Sequence, residues 1–215
     1  MSAAAAAKRS SQAIILETPN FYMRRIDVSD ASDRVGAWFE QPEVCEGLNS
    51  APGKKTKAEL EAWIASFDQH TNRINAMFDK RNDLMITIGN SQFNWDISRV
   101  MMNIVVGEPA YRHCGAVFEG LVPVRDYVFE ELKMKVMTAT VLATNKPVIA
   151  ILESTGSVRN QTLKNYKTSL QTGNPVDLHL YSQTAESWRD WKSKNAELIN
   201  AIKDCSARLP SVSIA

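Results

Sequence analysis

Hydrophobic and polar positions change period several times along the chain, and each change predicts an element. The run FYMRRID at 21–27 predicts a strand. From Ser29, SDASDRVGAWFE has a capping-type start and predicts a short helix followed by a loop. Turn chemistry in SAPGKK at 50–55 leads to Thr56 and Glu59 at capping-box spacing, ahead of the apolar positions Leu60, Trp63, Ile64 and Phe67. A second helix is expected there. Three strand-like runs follow, RINAMFD, DLMITIGNSQFN and SRVMMNIVVG, and the turn residues Asn82, Asp83, Asn94 and Asp96 between them predict an antiparallel meander.

Beyond Gly107 the pattern becomes helix, strand, helix. Phe118, Leu121, Val122, Val128 and Leu132 share one helical stripe between Gly115 and about Met134, with Pro123 inside it, where a lost hydrogen bond and a ring clash cost about 3 kcal/mol and favour a kink. KVMTATVLAT is β-branched and short, a strand. Residues 145–153 predict a helix that Gly156 stops, and two strands near 157–170 and 175–183 flank the turn TGNP. From Thr184, Trp188, Trp191, Leu198 and Ile202 recur at helical spacing. The absence of repeats and linkers predicts one mixed α+β domain over 16–191, with a loose tail at 1–15 and a C-terminal helical extension at 192–215.

Composition narrows the function. The 215 residues are 44% hydrophobic, enough for a full core, and 25 Lys and Arg against 24 Asp and Glu give no field for a polyanion, which argues against nucleic acid as the main partner. Cys45, Cys114 and Cys205 form no metal-ligand spacing, so no metal is expected and a reduced, cytoplasmic setting fits. No run approaches the ~18 apolar residues of a membrane span.

The stretch EPAYRHCGAVFEGL at 108–121 holds the candidate chemistry. A strand ending in a loop that opens a helix presents free N–H groups and a positive dipole end to an anion such as a pyrophosphate, and glycine lets backbone approach the ligand. VVGEPAYRHCGAVFEGLVPVRDYVFEELKMKVMTATVLATNKPVIAILESTG resembles the acetyl-coenzyme A core of the GNAT superfamily of N-acetyltransferases, in the branch of the ribosomal-protein N-terminal acetyltransferases. Arg112, His113, Cys114, Gly115, Ala116 and Val117 lie over that family's R/Q-x-x-G-x-G/A loop, which receives the cofactor pyrophosphate. ATNKPVIAILESTG is similar to its asparagine motif, LETPNFYMRRIDVSDASDRVGAWFEQPEV to its first strand and helix, and DLHLYSQTAESW to its last strand, so the likeness covers about 16–191.

The resemblance implies an α+β GNAT acyl-CoA N-acyltransferase fold: a mixed, mostly antiparallel sheet with flanking helices, splayed in the middle to receive the pantetheine arm. It implies that the backbone of Ile104, Val105 and Val106 binds pantetheine with Asn145 beside it. It also implies acetyl-CoA as cosubstrate and an amine acceptor, either a protein N-terminus or a small-molecule amine. Val117 stands where the family has Gly or Ala, and Cys114 where a basic residue is common. These departures leave two readings, a working acyltransferase and a GNAT-fold binding or scaffold module with a degenerate cofactor loop. Because an attacking amine must shed a proton, Glu108 at the strand end and Tyr181 on the last strand are the candidate base and acid. The tryptophan stripe after Thr184 leaves a homodimer contact open.

Overall fold

The computed structural model describes residues 13–211. Eight strands make one sheet in the order β1-β2-β3-β4-β5-β6-β8-β7, with β1 at Ile14–Glu17, β2 at Phe21–Arg25, β3 at Asn72–Asp79, β4 at Leu84–Asn94, β5 at Arg99–Val106, β6 at Val136–Leu142, β7 at Val158–Thr168 and β8 at Pro175–Thr184. Every neighbouring pair is antiparallel except β5 with β6, which are parallel. A parallel pair needs a crossover, and the stripe after Gly115 supplies it. The expected mixed, mostly antiparallel α+β architecture is therefore present, and the meander is β3–β4–β5.

Side chains alternate across the strands, so each strand addresses two layers. One face of β2, β3 and β4 (Tyr22, Ile74, Ala76, Phe78, Ile88) packs under α1 (Asp33–Ala37) and α3 (Lys57–Ala65), with α2 (Pro42–Leu48) between them in the chain. Trp38, Leu60 and Ile64 fill that core. The capping box of Thr56 with Glu59 starts α3 as the spacing predicts. The opposite face carries α4 (Ala116–Asp126), α5 (Lys146–Ser154) and α6 (Ala185–Lys194), with Val100, Met137, Phe129, Trp188 and Trp191 in contact.

Three elements differ from the sequence expectation. The loop after Glu40 contains α2, which begins on Pro42, a residue suited to the first helical turn because its missing N–H is not needed there. The last stripe is two helices: Asn195 leaves helical geometry, its side-chain amide donates to the Trp191 carbonyl at 2.7 Å, and α7 (Ala196–Ile202) follows. Pro123 does not stop α4, which runs past it and ends in a π-helical turn at Tyr127–Glu131.

The expected tail at 1–15 lies outside the described residues as far as 12, and β1 already begins at Ile14. The boundary at 191 falls within α6, and the segment after it docks back onto the domain. Cys205 is buried, and its N–H donates to Glu119 of α4 at 2.9 Å. Among the described residues, no helix is long and apolar enough to cross a membrane.

Candidate active site

The register of the sheet opens a gap beside β5. β4 pairs with β5 along its length as far as Thr87 with Val106, whereas β6 pairs with β5 only from Arg99 with Val136 to Met101 with Thr138. Beyond Met101 the two parallel strands part, and Asn103, Ile104, Val105 and Val106 have β4 on one side and no strand on the other. The consequence is visible at Ile104, an apolar side chain in mid-sheet that is 46% exposed. An unpaired strand edge with backbone amide groups available suits a chain of amides such as pantetheine.

The gap points at the start of α4. Gly115 caps that helix in the left-handed region at φ 93°, which glycine adopts without steric cost. The first bond into the helix runs from the Glu119 N–H to the Gly115 carbonyl at 3.0 Å, so the N–H groups of Ala116, Val117 and Phe118 lie ahead of it at the positive end of the dipole. Ala116 is fully buried, whereas Val117 and Phe118 are half-buried, so the last two are the donors open to an anion. Val117 is half-buried and its β-branching leaves its N–H in place. His113 is exposed. Cys114 faces inward, buried beside Tyr111 and Cys205, and belongs to the core rather than to the anion surface.

Arg112 leads the loop but is already engaged. Its guanidinium donates to the Val106 carbonyl (3.2 Å) and to Gln41, and it forms an ion pair with Glu43 of α2 at 3.1 Å. The Val106 carbonyl is thereby partnered within the chain; successive strand residues turn their backbone groups to opposite sides, so Val105 faces β4, as does Gly107 whose N–H donates to Ile86, and Ile104 is left as the free backbone on the gap. Opposite, Asn145 caps α5 by accepting from the Val148 N–H at 3.4 Å, and its amide lies against Gly47 of α2. α2 thus touches both sides of the gap. Asn49, at its end, donates to the Thr168 carbonyl and accepts from the Leu170 N–H, both at 2.9 Å, which ties α2 to the β7–β8 hairpin.

The two candidate proton carriers are not brought together. Glu108 is buried and takes a fork from Arg34 (Nε and a terminal nitrogen, each at 2.7 Å) and a third bond from Trp38 Nε1 at 3.0 Å. Burial alone would raise its pKa, but Arg34 and Trp38 outweigh that and hold it below the usual carboxylate range. A carboxylate so bonded is a poor proton acceptor near neutrality, and its geometry suits it to fixing Arg34 and Trp38 at the end of β5. Tyr181 is buried on the α5 side of the sheet and donates to Glu153 at 2.8 Å. Burial and that carboxylate raise its pKa, so it stays protonated and able to donate.

Three contributors escaped the sequence reading. Gln41 and Glu43 reach Arg112 because α2 exists, and Pro42 at a helix start was the signal for it. Arg208, from the C-terminal segment, donates to the Cys114 carbonyl at 3.1 Å and stands against Gly115; no local pattern announces that long-range contact. At the closed end of the gap lies a cavity of about 530 Å3 bordered by Met101 and Thr138.

Comparison with known proteins agrees with this geometry. No curated protein matches the chain significantly in sequence. Among solved structures it is similar to a ribosomal-protein-S5-alanine acetyltransferase from Vibrio fischeri, at 15% identity and TM-score 0.67 over 80% of this chain and 97% of that one. It is also similar to a spermidine N-acetyltransferase from Vibrio cholerae, solved in complex with CoA and spermine, at 14% identity and TM-score 0.69 over 79% and 98%. A GCN5-related N-acetyltransferase from Brucella melitensis gives a TM-score of 0.72 at 15% identity over 92% and 90%. At these identities the likeness speaks for the fold. The model of the acetyltransferase (GNAT) domain matches residues 20–158, which hold the splayed strands, the loop and α4, and the chain belongs to that family.

Proposed function

We propose that the protein is an N-acetyltransferase that moves an acetyl group from acetyl-CoA to a primary amine by direct attack in a ternary complex. The observation that carries this reading is the parting of β5 from β6 after Met101, on the strand whose end leads through the Glu108–Gly115 loop into α4. When bound, acetyl-CoA supplies the activated acyl carbon. The backbone of Ile104 would align the pantetheine arm, with Asn145 beside it. The N–H groups of Val117 and Phe118 at the start of α4 would face the pyrophosphate, with the Arg112 guanidinium supplying charge and the His113 ring next to them. Holding amine and thioester together yields most of the acceleration in such a transfer, so no covalent residue is required. Tyr181 would have to release its bond to Glu153 before donating a proton to the departing thiolate. Glu108 positions Arg34 and Trp38.

The alternative, a binding or scaffold module whose cofactor loop has degenerated, draws on one observation: the guanidinium of Arg112 is occupied by Gln41 and Glu43. Calorimetry with acetyl-CoA separates the readings. Binding in the micromolar range, with release of CoA when amines are added, is expected of the transferase. Arg112→Ala should weaken that binding about tenfold, the worth of a charge-assisted bond, and Val117→Gly should strengthen it or leave it unchanged. No binding of acetyl-CoA or CoA would leave the scaffold reading standing.

A further inference from the structure

The cavity at the closed end of the gap makes a demand on the acceptor through its charge. It adjoins the last paired residues of β5 and β6, Met101 and Thr138, so a molecule seated there meets the splay where the strands begin to part. Its walls are polar and neutral at Gln92, Asn94, Thr138, Thr140 and Ser182. Arg99 is the one charged residue in the lining, and no carboxylate contributes to it. Arg99 is exposed, and it enters no ion pair among the described residues.

We propose that this cavity is the acceptor site and that Arg99 holds a carboxylate carried by the acceptor, so that the acceptor is a small amine with a carboxylate, of the amino-acid or short-peptide class. The inference rests on the acetyltransferase reading above. A volume near 530 Å3 is within the range of small-molecule pockets. A guanidinium matches a carboxylate in a planar two-bond fork and repels an ammonium. A polyamine, which carries several positive charges, would find no carboxylate here and one like charge.

The test uses the full chain with glycyl-glycine, glycyl-aspartate and spermidine as probes. Calorimetry is run for each probe alone and for acetyl-CoA, and CoA release is followed with both present. The dipeptides should bind and be acetylated in preference to spermidine. Arg99→Gln should raise their Kd and KM about tenfold or more, with acetyl-CoA affinity unchanged. Arg99→Glu should shift preference toward spermidine. Preference for spermidine in the unmodified protein, no binding of either dipeptide, or dipeptide affinity indifferent to Arg99→Gln would each overturn the proposal. Arg99-dependent dipeptide binding without any acetyl-CoA binding would instead overturn the acetyltransferase reading and leave the acceptor site in place.

Discussion

Glu108 shows how far a residue's role depends on what surrounds it. In the sequence it is a carboxylate at the end of the cofactor strand, a natural base; in the structure its oxygens accept three bonds from Arg34 and Trp38. The neighbouring Gly107 explains why that contact is so close: a Cβ there would lie 1.8 Å from the Trp38 ring, so only glycine lets the indole settle onto the strand end. Glu108→Gln keeps the shape and removes the charge. Arg34 is half-exposed and water can take over part of its solvation, so the substitution should cost about 1–2 kcal/mol in urea unfolding. If the carboxylate only positions its neighbours, kcat should fall far less than the ~100-fold expected on losing a general base. A loss of that size with unchanged stability would return Glu108 to the chemistry.

At the scale of elements, the N-terminus of α4 combines the cofactor loop with the docking of the C-terminal segment. Gly115 sits at φ 93°, and a Cβ there would come 2.8 Å from Arg208. Gly115→Ala should therefore destabilise the fold by about 1–2 kcal/mol from backbone strain alone and weaken acetyl-CoA binding by moving the loop; unchanged unfolding and unchanged affinity would separate this glycine from both roles. Local signals made much of this legible. The capping box at Thr56, the turns of the β3–β5 meander and the stripe after Gly115 are patterns within a few residues, and those elements form where the periodicity puts them. The start of α2 was equally local but is brief, and the apolar stripe across Asn195 looks continuous although the backbone there is not. The acceptor cavity could not be read from the sequence, because Gln92, Arg99, Thr138 and Ser182 meet only through strand register. The same holds for Arg112 with Glu43 and Arg208 with Cys114, whose pairing is decided by packing between distant segments.

For the whole molecule, the balance of charge conceals where charge is buried. Asp79, Glu108 and Glu119 are all buried, and in each the raising effect of burial is outweighed by bonds: from Arg81 and Tyr111 to Asp79, from Arg34 and Trp38 to Glu108, and from Thr18, Asn20 and Cys205 to Glu119. Glu119 ties three remote parts together, since it binds the β1–β2 turn through Asn20 (2.8 Å) and the C-terminal segment through the Cys205 N–H (2.9 Å). A carboxylate whose folded pKa lies below its unfolded value stabilises the fold fully above the unfolded pKa, 3.8 for Asp and 4.5 for Glu, and loses that contribution as pH falls through the folded one. Stability should thus be nearly flat from pH 7 to about 5.5 as far as these groups decide it, then fall by up to about 1.4 kcal/mol per pH unit for each one that titrates. Glu119→Gln should lower stability at pH 7 and make the acid slope shallower by one such unit. Urea unfolding measured from pH 7 down to 3 reads both quantities. An acid slope that Glu119→Gln leaves untouched would mean that this carboxylate does not hold the C-terminal segment to α4, and with it the support that Arg208 gives to the cofactor loop would lose its basis.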